Sequence, residues 1–251
     1  MRGVMKFEFV GAALAILVAG VATAAEPTER VPVLAELFTS EGCSSCPPAD
    51  LLLMELDRKQ PARKVQIIVL SEHVDYWNQL GWSDPFSSAQ SSARQKAYSQ
   101  ALKSEVYTPQ LVIDGSEQVV GSDAGAILAA IARAASRPKV PVKIVAAQWD
   151  ASWAVVNVSV EGGAGELWVA VADERDESSV KRGENSGRRL AHVAVVRNFV
   201  KAGSVGPSGA FDKSVRLPLA PDAKPAGTRI VAFLAAPNGR ILGVDLSPLQ
   251  P

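Results

Sequence analysis

The two cysteines of the chain, Cys43 and Cys46, are separated by only two residues. In the chain-entropy model a disulfide that closes about four residues adds roughly 2 kcal/mol, against about 3 kcal/mol for fifteen residues. A disulfide between these two cysteines would therefore stabilise the fold only weakly, and the spacing favours redox chemistry. At the start of a helix the dipole stabilises a thiolate. We expect Cys43 to be the exposed, attacking sulfur and Cys46 to be the partly buried sulfur that resolves a mixed disulfide.

The elements around this pair alternate between strand and helix as far as residue 136. Continuous apolar runs predict buried strands, and helical spacing of apolar residues predicts the segments between them. Ser83 or Asp84 is the expected cap of the second helix. The predicted order is strand 31–38, helix 47–59, strand 64–74, helix 83–103, hairpin 108–121 and helix 122–136.

Helical periodicity disappears beyond residue 138. Seven short β runs follow, and Asn238-Gly239 is a strong hairpin signal between two of them. Several short strands in about 110 residues are typical of a β-sandwich or small barrel. We therefore predict an α/β domain over residues 26–138 and an all-β, sandwich-like domain over residues 139–251.

The amino terminus has the pattern of an export signal. MRGVMK supplies positive charge, residues 9–25 are almost wholly apolar, and Ala22-Thr23-Ala24 offers small residues for cleavage. We predict that residues 1–25 are a signal peptide and that the mature protein is periplasmic or secreted, where disulfides form. The alternative is an uncleaved signal anchor, which is the expected route to any membrane attachment.

Composition argues against several classes of partner. Of the 251 residues, 47% are hydrophobic and 21% are charged, and the formal net charge is zero. A neutral chain has no general attraction for nucleic acid or for anionic lipid. The sequence contains no phosphate loop, dinucleotide fingerprint or acidic cluster for hard metals, so the expected redox group is the Cys43–Cys46 disulfide itself.

The succession of strand, Cys-x-x-Cys, helix, strand, helix and then Thr108-Pro109 entering a hairpin resembles the thioredoxin fold. The resemblance implies a cis-proline at Pro109 that faces the disulfide, with Thr108 before it and the neighbouring backbone binding the substrate chain. The chain departs from thioredoxin in having Gly42 before the first cysteine and Ser-Ser between the two. These departures leave open whether the pair oxidises, reduces or isomerises its substrates.

A narrower resemblance covers nearly all of residues 31–200. The segments that carry it are ELFTSEGCSSCPPAD, HVDYWNQLGWSDPF, YTPQLVIDG and RGENSGRRL. They are similar to the predicted secreted bacterial proteins of domain-of-unknown-function family 1223. This family implies a thioredoxin-like fold but names no reaction.

Glu36 lies on the strand that leads into the cysteines, about where thioredoxins keep a buried carboxylate. In a sheet covered on both sides it is expected to be desolvated, so it could take the proton of Cys46 during exchange. The alternative is a structural partner for an arginine or lysine.

The loop after the second strand is rich in functional side chains: His73, Asp75, Tyr76 and Trp77. Because the carboxyl ends of parallel strands carry the sites of α/β sheets, we expect this loop near the cysteines, where it forms a wall of the substrate groove. A second hypothesis is copper binding by Cys43, Cys46 and His73, since thiolates and imidazole suit Cu(I). A third is a packed loop that covers the sheet edge.

The second half offers fewer candidates. His192 lies on a predicted strand and is given no role. The polar loop before it, with Arg182, Glu184, Asn185 and Arg188, is expected to form a local network or to dock the two domains.

Together these features favour an exported thiol–disulfide oxidoreductase whose partners are protein thiols or disulfides. The alternatives are a copper carrier and a binding protein in which the disulfide is inert.

Overall fold

The computed structural model describes residues 1, 3, 30–207 and 209–251. The predicted signal peptide, residues 1–25, lies outside the described residues except for residues 1 and 3. No helix in the described part of the chain is long and apolar enough to cross a membrane.

The first half contains four strands and three helices in the order predicted from the sequence. They are β1 (Val31–Thr39), α1 (Pro47–Lys59), β2 (Val65–His73), α2 (Ala89–Leu102), β3 (Gln110–Ile113), β4 (Glu117–Val120) and α3 (Ala124–Ala135). The expected cap of α2 is wrong: its cap is Ser88, which accepts from the Ser91 amide. The Asp84 side chain does not cap α2 and instead bonds to a residue of the candidate site.

The second half contains seven strands, as the β runs predict. They are β5 (Val142–Asp150), β6 (Trp153–Glu161), β7 (Gly165–Ser179), β8 (Arg189–Val205), β9 (Ala210–Pro218), β10 (Thr228–Ala235) and β11 (Ile241–Pro248). The Asn238-Gly239 turn joins the antiparallel pair β10 and β11, and Gly239 has a φ of 83°, which glycine adopts without strain.

The strands form two sheets that do not follow the halves of the sequence. The larger sheet has the order β11-β10-β7-β8-β2-β1-β3-β4, and the smaller one has the order β5-β6-β9. Strand β8 joins β2 in parallel through Ser71 and Val195. Four strands of the second half therefore extend the sheet of the first half. The domain boundary predicted between residues 138 and 139 stays a prediction.

The smaller sheet and two helices pack on the same face of the larger sheet, and on the opposite face Phe38 of β1 packs with Tyr98 of α2. One apolar cluster packs the smaller sheet onto β7 and β10, and it includes Val156, Val169 and Ala232. A second cluster packs α1 and α3 onto β1 and β2, with Val33, Ala35 and Leu37 of β1 facing the helices. Because side chains alternate along a strand, Glu36 faces away from α1.

Candidate redox-active site

Cys43 and Cys46 form a disulfide at the start of α1. Cys46 is the cap residue, its carbonyl accepts from the amides of Ala49 and Asp50, and Pro47 occupies the first helical turn. Proline is well suited to that position because its missing amide has no partner there in any helix. The disulfide thus lies at the positive end of the α1 dipole, as the sequence predicts.

Both cysteines are fully buried, at 0% exposure. The prediction that Cys43 is exposed is therefore wrong for this disulfide form. A loop of residues 180–188, called the covering loop, connects β7 to β8 and packs on the turn that holds the cysteines. The Asn185 amide donates to the carbonyls of Cys43 and Glu41 at 2.9 Å each, and the Ser44 amide donates to the Glu184 carboxylate at 2.9 Å.

This loop confirms the expectation that Glu184 and Asn185 dock the two halves of the chain. Arg188 completes a local network by donating to the Asn185 side-chain oxygen at 2.8 Å. The loop also packs closely on the segment after β2, since a Cβ placed on Gly183 lies 3.1 Å from Cβ of Trp82.

A cluster of buried ionisable side chains lies beside the disulfide. Asp50 is one helical turn from Cys46, so the two side chains share a face of α1. His73 Nδ1 is 2.7 Å from Asp84, and its ring lies 4.6 Å from the ring of His192 in an edge-to-face contact. His192 Nδ1 is 3.9 Å from Asp50. Elements from both halves of the chain therefore meet at the base of the redox motif.

Glu41, two residues before Cys43, ties this cluster to the covering loop. Its carboxylate lies 3.2 Å from His192 Nε2 and accepts from Trp82 Nε1 at 2.8 Å and from Ser178. Its backbone amide donates to Asp84 at 2.9 Å. The Cys-x-x-Cys turn is thus fixed to β7, to β8 and to the segment after β2.

Several polar atoms of the cluster lack a partner. Within the described residues, neither carboxylate oxygen of Asp50 makes a hydrogen bond of standard geometry, and neither does His73 Nε2, His192 Nδ1 or the Thr39 hydroxyl. Most buried polar groups in proteins are hydrogen-bonded. Protein groups in the described part of the chain therefore leave these buried atoms without a hydrogen bond.

The surroundings shift the titration of these groups. Burial raises the pKa of Asp50, and the imidazoles of His192 and His73 offset this only in part. Burial works against charge on His73, but Asp84, Asp50 and Glu41 outweigh it, so the pKa of His73 is raised. For Asp84 the imidazole of His73 outweighs burial and lowers the pKa. The contact between His73 and Asp84 therefore favours the charged form of both groups, whereas burial favours the protonated form of Asp50.

The Thr108–Pro109 peptide bond is cis, as the resemblance to thioredoxin implies. Thr108 accepts a hydrogen bond from Trp77 Nε1 at 2.8 Å. The Trp77 Cβ in turn lies 3.3 Å from where a Cβ on Gly42 would stand. Trp77 therefore connects the proline turn to the residue before Cys43, and the loop after β2 is near the motif as expected.

The other residues predicted in that loop take separate positions. Tyr76 is 39% exposed, and its hydroxyl donates to Gln95 of α2. Asp75 is bonded to Ser92 of α2 through both its amide and its carboxylate. His73 is wholly buried and does not line a groove, which corrects the expectation for that residue. A role of Asp75 and Tyr76 in binding substrate stays a prediction.

Glu36 takes the structural role that the sequence left as an alternative. Its carboxylate accepts from Arg94 at 2.6 Å and from the Tyr98 hydroxyl at 2.5 Å, on the face of the sheet away from α1. Glu72 shares this site at 3.5 Å from Arg94, and burial, reinforced by Glu36, raises the pKa of Glu72 well above its usual value. Glu36 lies on the face of β1 opposite to that covered by α1, and its bonds to Arg94 and Tyr98 favour a structural role. Its proton exchange with Cys46 stays a prediction.

The described residues do not form the ligand set that the copper hypothesis requires. Among residues 30–207 and 209–251, no three histidine, cysteine, aspartate or glutamate side chains are arranged to hold a metal ion. Both thiols are in the disulfide, and His73 Nδ1 is bonded to Asp84.

Sequence reasoning missed Asp50, Glu41 and His192. Asp50 carried a usable signal, because residues four apart on a helix share a face and Cys46 begins that helix. His192 carried none, because the pairing of β8 with β2 brings it to the motif and no local pattern shows that pairing.

Comparison with known proteins places this geometry in a family. Residues 34–235 match the family model described as "Protein of unknown function (DUF1223)". The crystal structure of protein AGR_C_4864 from Agrobacterium tumefaciens is 30% identical, with a TM-score of 0.65 over 87% of this chain and 94% of that one. The sporulation control protein Spo0M from Bacillus subtilis matches at 13% identity and a TM-score of 0.31, over 45% of this chain and 49% of that one. No curated protein matches the chain.

Proposed function

Since the chain belongs to the DUF1223 family, whose description names no activity, we propose from its own residues that it is a thiol–disulfide oxidoreductase. The observation that carries the proposal is the Cys43–Cys46 disulfide at the first turn of α1. A bridge that closes so short a loop adds little stability, whereas its position at the helix end favours a thiolate leaving group.

The arrangement of the first half supports a thioredoxin-like assignment for that part of the fold. Strand β1 lies between the parallel β2 and the antiparallel β3, and β4 completes the edge. Pro109 precedes β3 and lies close to α1, because a Cβ placed on Gly121 is 3.2 Å from Pro109 and 3.1 Å from Ala49. The backbone before β3 is the proposed seat of the substrate chain.

In the proposed reaction a substrate thiolate attacks Sγ of Cys43. A bond forms between the two sulfurs, the Cys43–Cys46 bond breaks, and its electron pair stays on Cys46. The second thiol of the substrate, once deprotonated, attacks the substrate sulfur of this mixed disulfide and releases Cys43 as a thiolate. The substrate loses two electrons and two protons to the Cys43 and Cys46 thiols. The reverse sequence reduces a substrate disulfide.

Asp50 is the proposed proton donor to the Cys46 thiolate. Its pKa is raised mainly by burial, which favours the protonated form, and it lies one turn along the helix from Cys46. His192 Nδ1 lies 3.9 Å from this carboxyl group. General acid catalysis of this kind typically contributes 100- to 10,000-fold.

The proposed partners are proteins of an exported compartment. The apolar, cleavable pattern of residues 1–25 supports export. The formal net charge of zero argues against nucleic acid as a partner. Any membrane attachment is proposed to run through an uncleaved signal segment.

Trapping of partners tests the proposal. In a Cys46→Ala variant expressed in the native host, the mixed disulfide on Cys43 cannot resolve, so disulfide-linked partners accumulate. The matched control is Cys43→Ala, which keeps one thiol but removes the attacked sulfur. Partners on Cys46→Ala that are absent from the control and released by dithiothreitol support exchange. Absence of trapped partners from both variants, with the protein folded and exported, contradicts it.

A further inference from the structure

The covering loop places one buried side chain over the redox motif. Throughout residues 181–189, all of which the structure describes, Asn185 is the single buried residue, at 0% exposure. Exposed loops seldom bury a carboxamide unless its hydrogen bonds are satisfied. Here the amide group donates to Cys43 and Glu41, and the oxygen accepts from Arg188.

The contacts of the loop fall on the backbone beside Cys43. The carbonyl of Cys43 and the amide of Ser44 are backbone groups that flank the attacked sulfur, and both are occupied by loop side chains. With the loop in this position, both cysteines are at 0% exposure. A protein substrate cannot reach a buried sulfur, because attack requires a thiolate aligned with the S–S bond.

We propose that residues 180–188 are a self-bound gate, with Asn185 as its latch, that a substrate must displace from the disulfide. The gate comes from the second half of the chain, so that half regulates a reaction carried out by the first. This role rests on the proposed oxidoreductase function. Opening breaks the two bonds of Asn185 and the bond between Ser44 and Glu184, whereas the strand pairs that hold β7 and β8 stay intact.

Chemical reduction tests the gate without a natural partner. Dithiothreitol reduces the protein disulfide by two successive exchanges, supplies two electrons and two protons, and ends as its own cyclic disulfide. The rate is followed by quenched alkylation of the two thiols and mass measurement. If the gate must open before attack, the observed rate of disulfide reduction rises with dithiothreitol concentration. It then reaches a plateau that equals the rate of gate opening. A phosphine reductant should reach the same plateau.

The Asn185→Ala variant should raise the initial slope of this dependence by about 5-fold to about 150-fold, because two hydrogen bonds to the closed state are lost. Glu184→Gln keeps an acceptor for the Ser44 amide but removes its charge, so a smaller increase is expected. The control is Ser186→Ala, since the Ser186 hydroxyl is bonded only to Lys181 within the loop. Its slope should equal that of the wild type within about 2-fold.

The outcomes separate the gate from the function. A wild-type rate that stays linear in both reductants, with a slope equal to that of Asn185→Ala, overturns the gate. If Asn185→Ala fails to fold, the wild-type plateau and the Glu184→Gln slope still decide the question. Faster reduction of the variants without trapped partners on Cys46→Ala leaves the gate standing and removes the proposed function. Partners trapped on Cys46→Ala, together with variant slopes equal to that of the wild type, remove the gate and leave the proposed function standing.

Discussion

Replacement of Asp50 by asparagine should stabilise the protein while slowing the chemistry. The carboxylate is 4% exposed and, in the described part of the chain, makes no hydrogen bond of standard geometry. A buried polar group left in this state typically costs about 1–3 kcal/mol, more when charged. Proteins keep such groups where function needs them, so a stabilising substitution next to a redox motif is informative.

The size of the effect should depend on pH in a defined way. Because burial raises the pKa of Asp50 above its usual 3.8, the folded protein binds this proton more tightly than the unfolded chain does. Wild-type stability therefore falls as pH rises from about 3.8 to the folded pKa, by about 1.4 kcal/mol for each pH unit between those two values. Asp50→Asn lacks this loss, so its advantage should grow across that window and stay constant above it.

Urea unfolding of Asp50→Asn and wild type from pH 3.5 to 8 measures this difference, and Glu55→Gln, which changes an exposed carboxyl group on the same helix, is the matched control. Below the plateau, the slope of reduction against dithiothreitol concentration should be at least about 100-fold lower for Asp50→Asn if Asp50 donates a proton to Cys46. The reasoning is refuted if Asp50→Asn destabilises the protein at neutral pH, or if the difference between variant and wild type does not change with pH.

Three further predictions concern the surroundings of the site. Arg94→Met leaves the Glu36 carboxylate buried without its cation and should lower the free energy of unfolding in urea by about 3–5 kcal/mol. The control Lys96→Met, on the exposed side of α2, should change this free energy by less than about 0.5 kcal/mol. Gly121→Ala places a Cβ 2.7 Å from the nearest side-chain atom, so overpacking should lower the thermal midpoint, with a cost of about 1–3 kcal/mol. The pKa of His73 is raised above 6.5 in the folded protein, so its stabilising contribution is full below about pH 6.5 and is lost as pH rises through the folded pKa. The stability difference between wild type and His73→Phe should therefore shrink above pH 6.5, and a difference that grows there contradicts the assignment.

The order of elements could be predicted from the sequence because it is encoded locally. Apolar runs indicate the strands, helical spacing indicates the helices, and the Cys-x-x-Cys motif lies at the start of α1 as expected. The cap of α2 lies further along the chain than expected, because Ser83 and Asp84 are as suitable in isolation as Ser88. Asp84 is used instead by His73, a contact that local preference does not encode.

Sheet topology could not be predicted in the same way. Alternating apolar residues show which segments are strands, but they do not show that β8 pairs with β2. That one pairing extends the sheet across both halves and brings His192 to Asp50. It also brings residues 180–188 to the backbone of Cys43 and Ser44, a contact that no local pattern in the sequence shows.

The side of β1 on which the Glu36 side chain lies could be predicted from the sequence. Strand alternation already separates it from Ala35 and Leu37, and the helix that follows Cys46 packs on the face of those two residues. The resemblance to a buried thioredoxin carboxylate favours the opposite orientation. In the structure the alternation holds, and Arg94 neutralises Glu36 on the face away from α1.

Redox equilibrium of the Cys43–Cys46 pair with glutathione is the most direct test of the central claim. The protein is incubated at a series of reduced-to-oxidised ratios, from the reduced and from the oxidised side until both agree, and thiols are counted by alkylation. An exchanging pair should titrate within the glutathione range, at a potential above about −300 mV. A bridge that stays oxidised at every ratio from both sides, at a potential below that value, contradicts the account and marks the disulfide as inert.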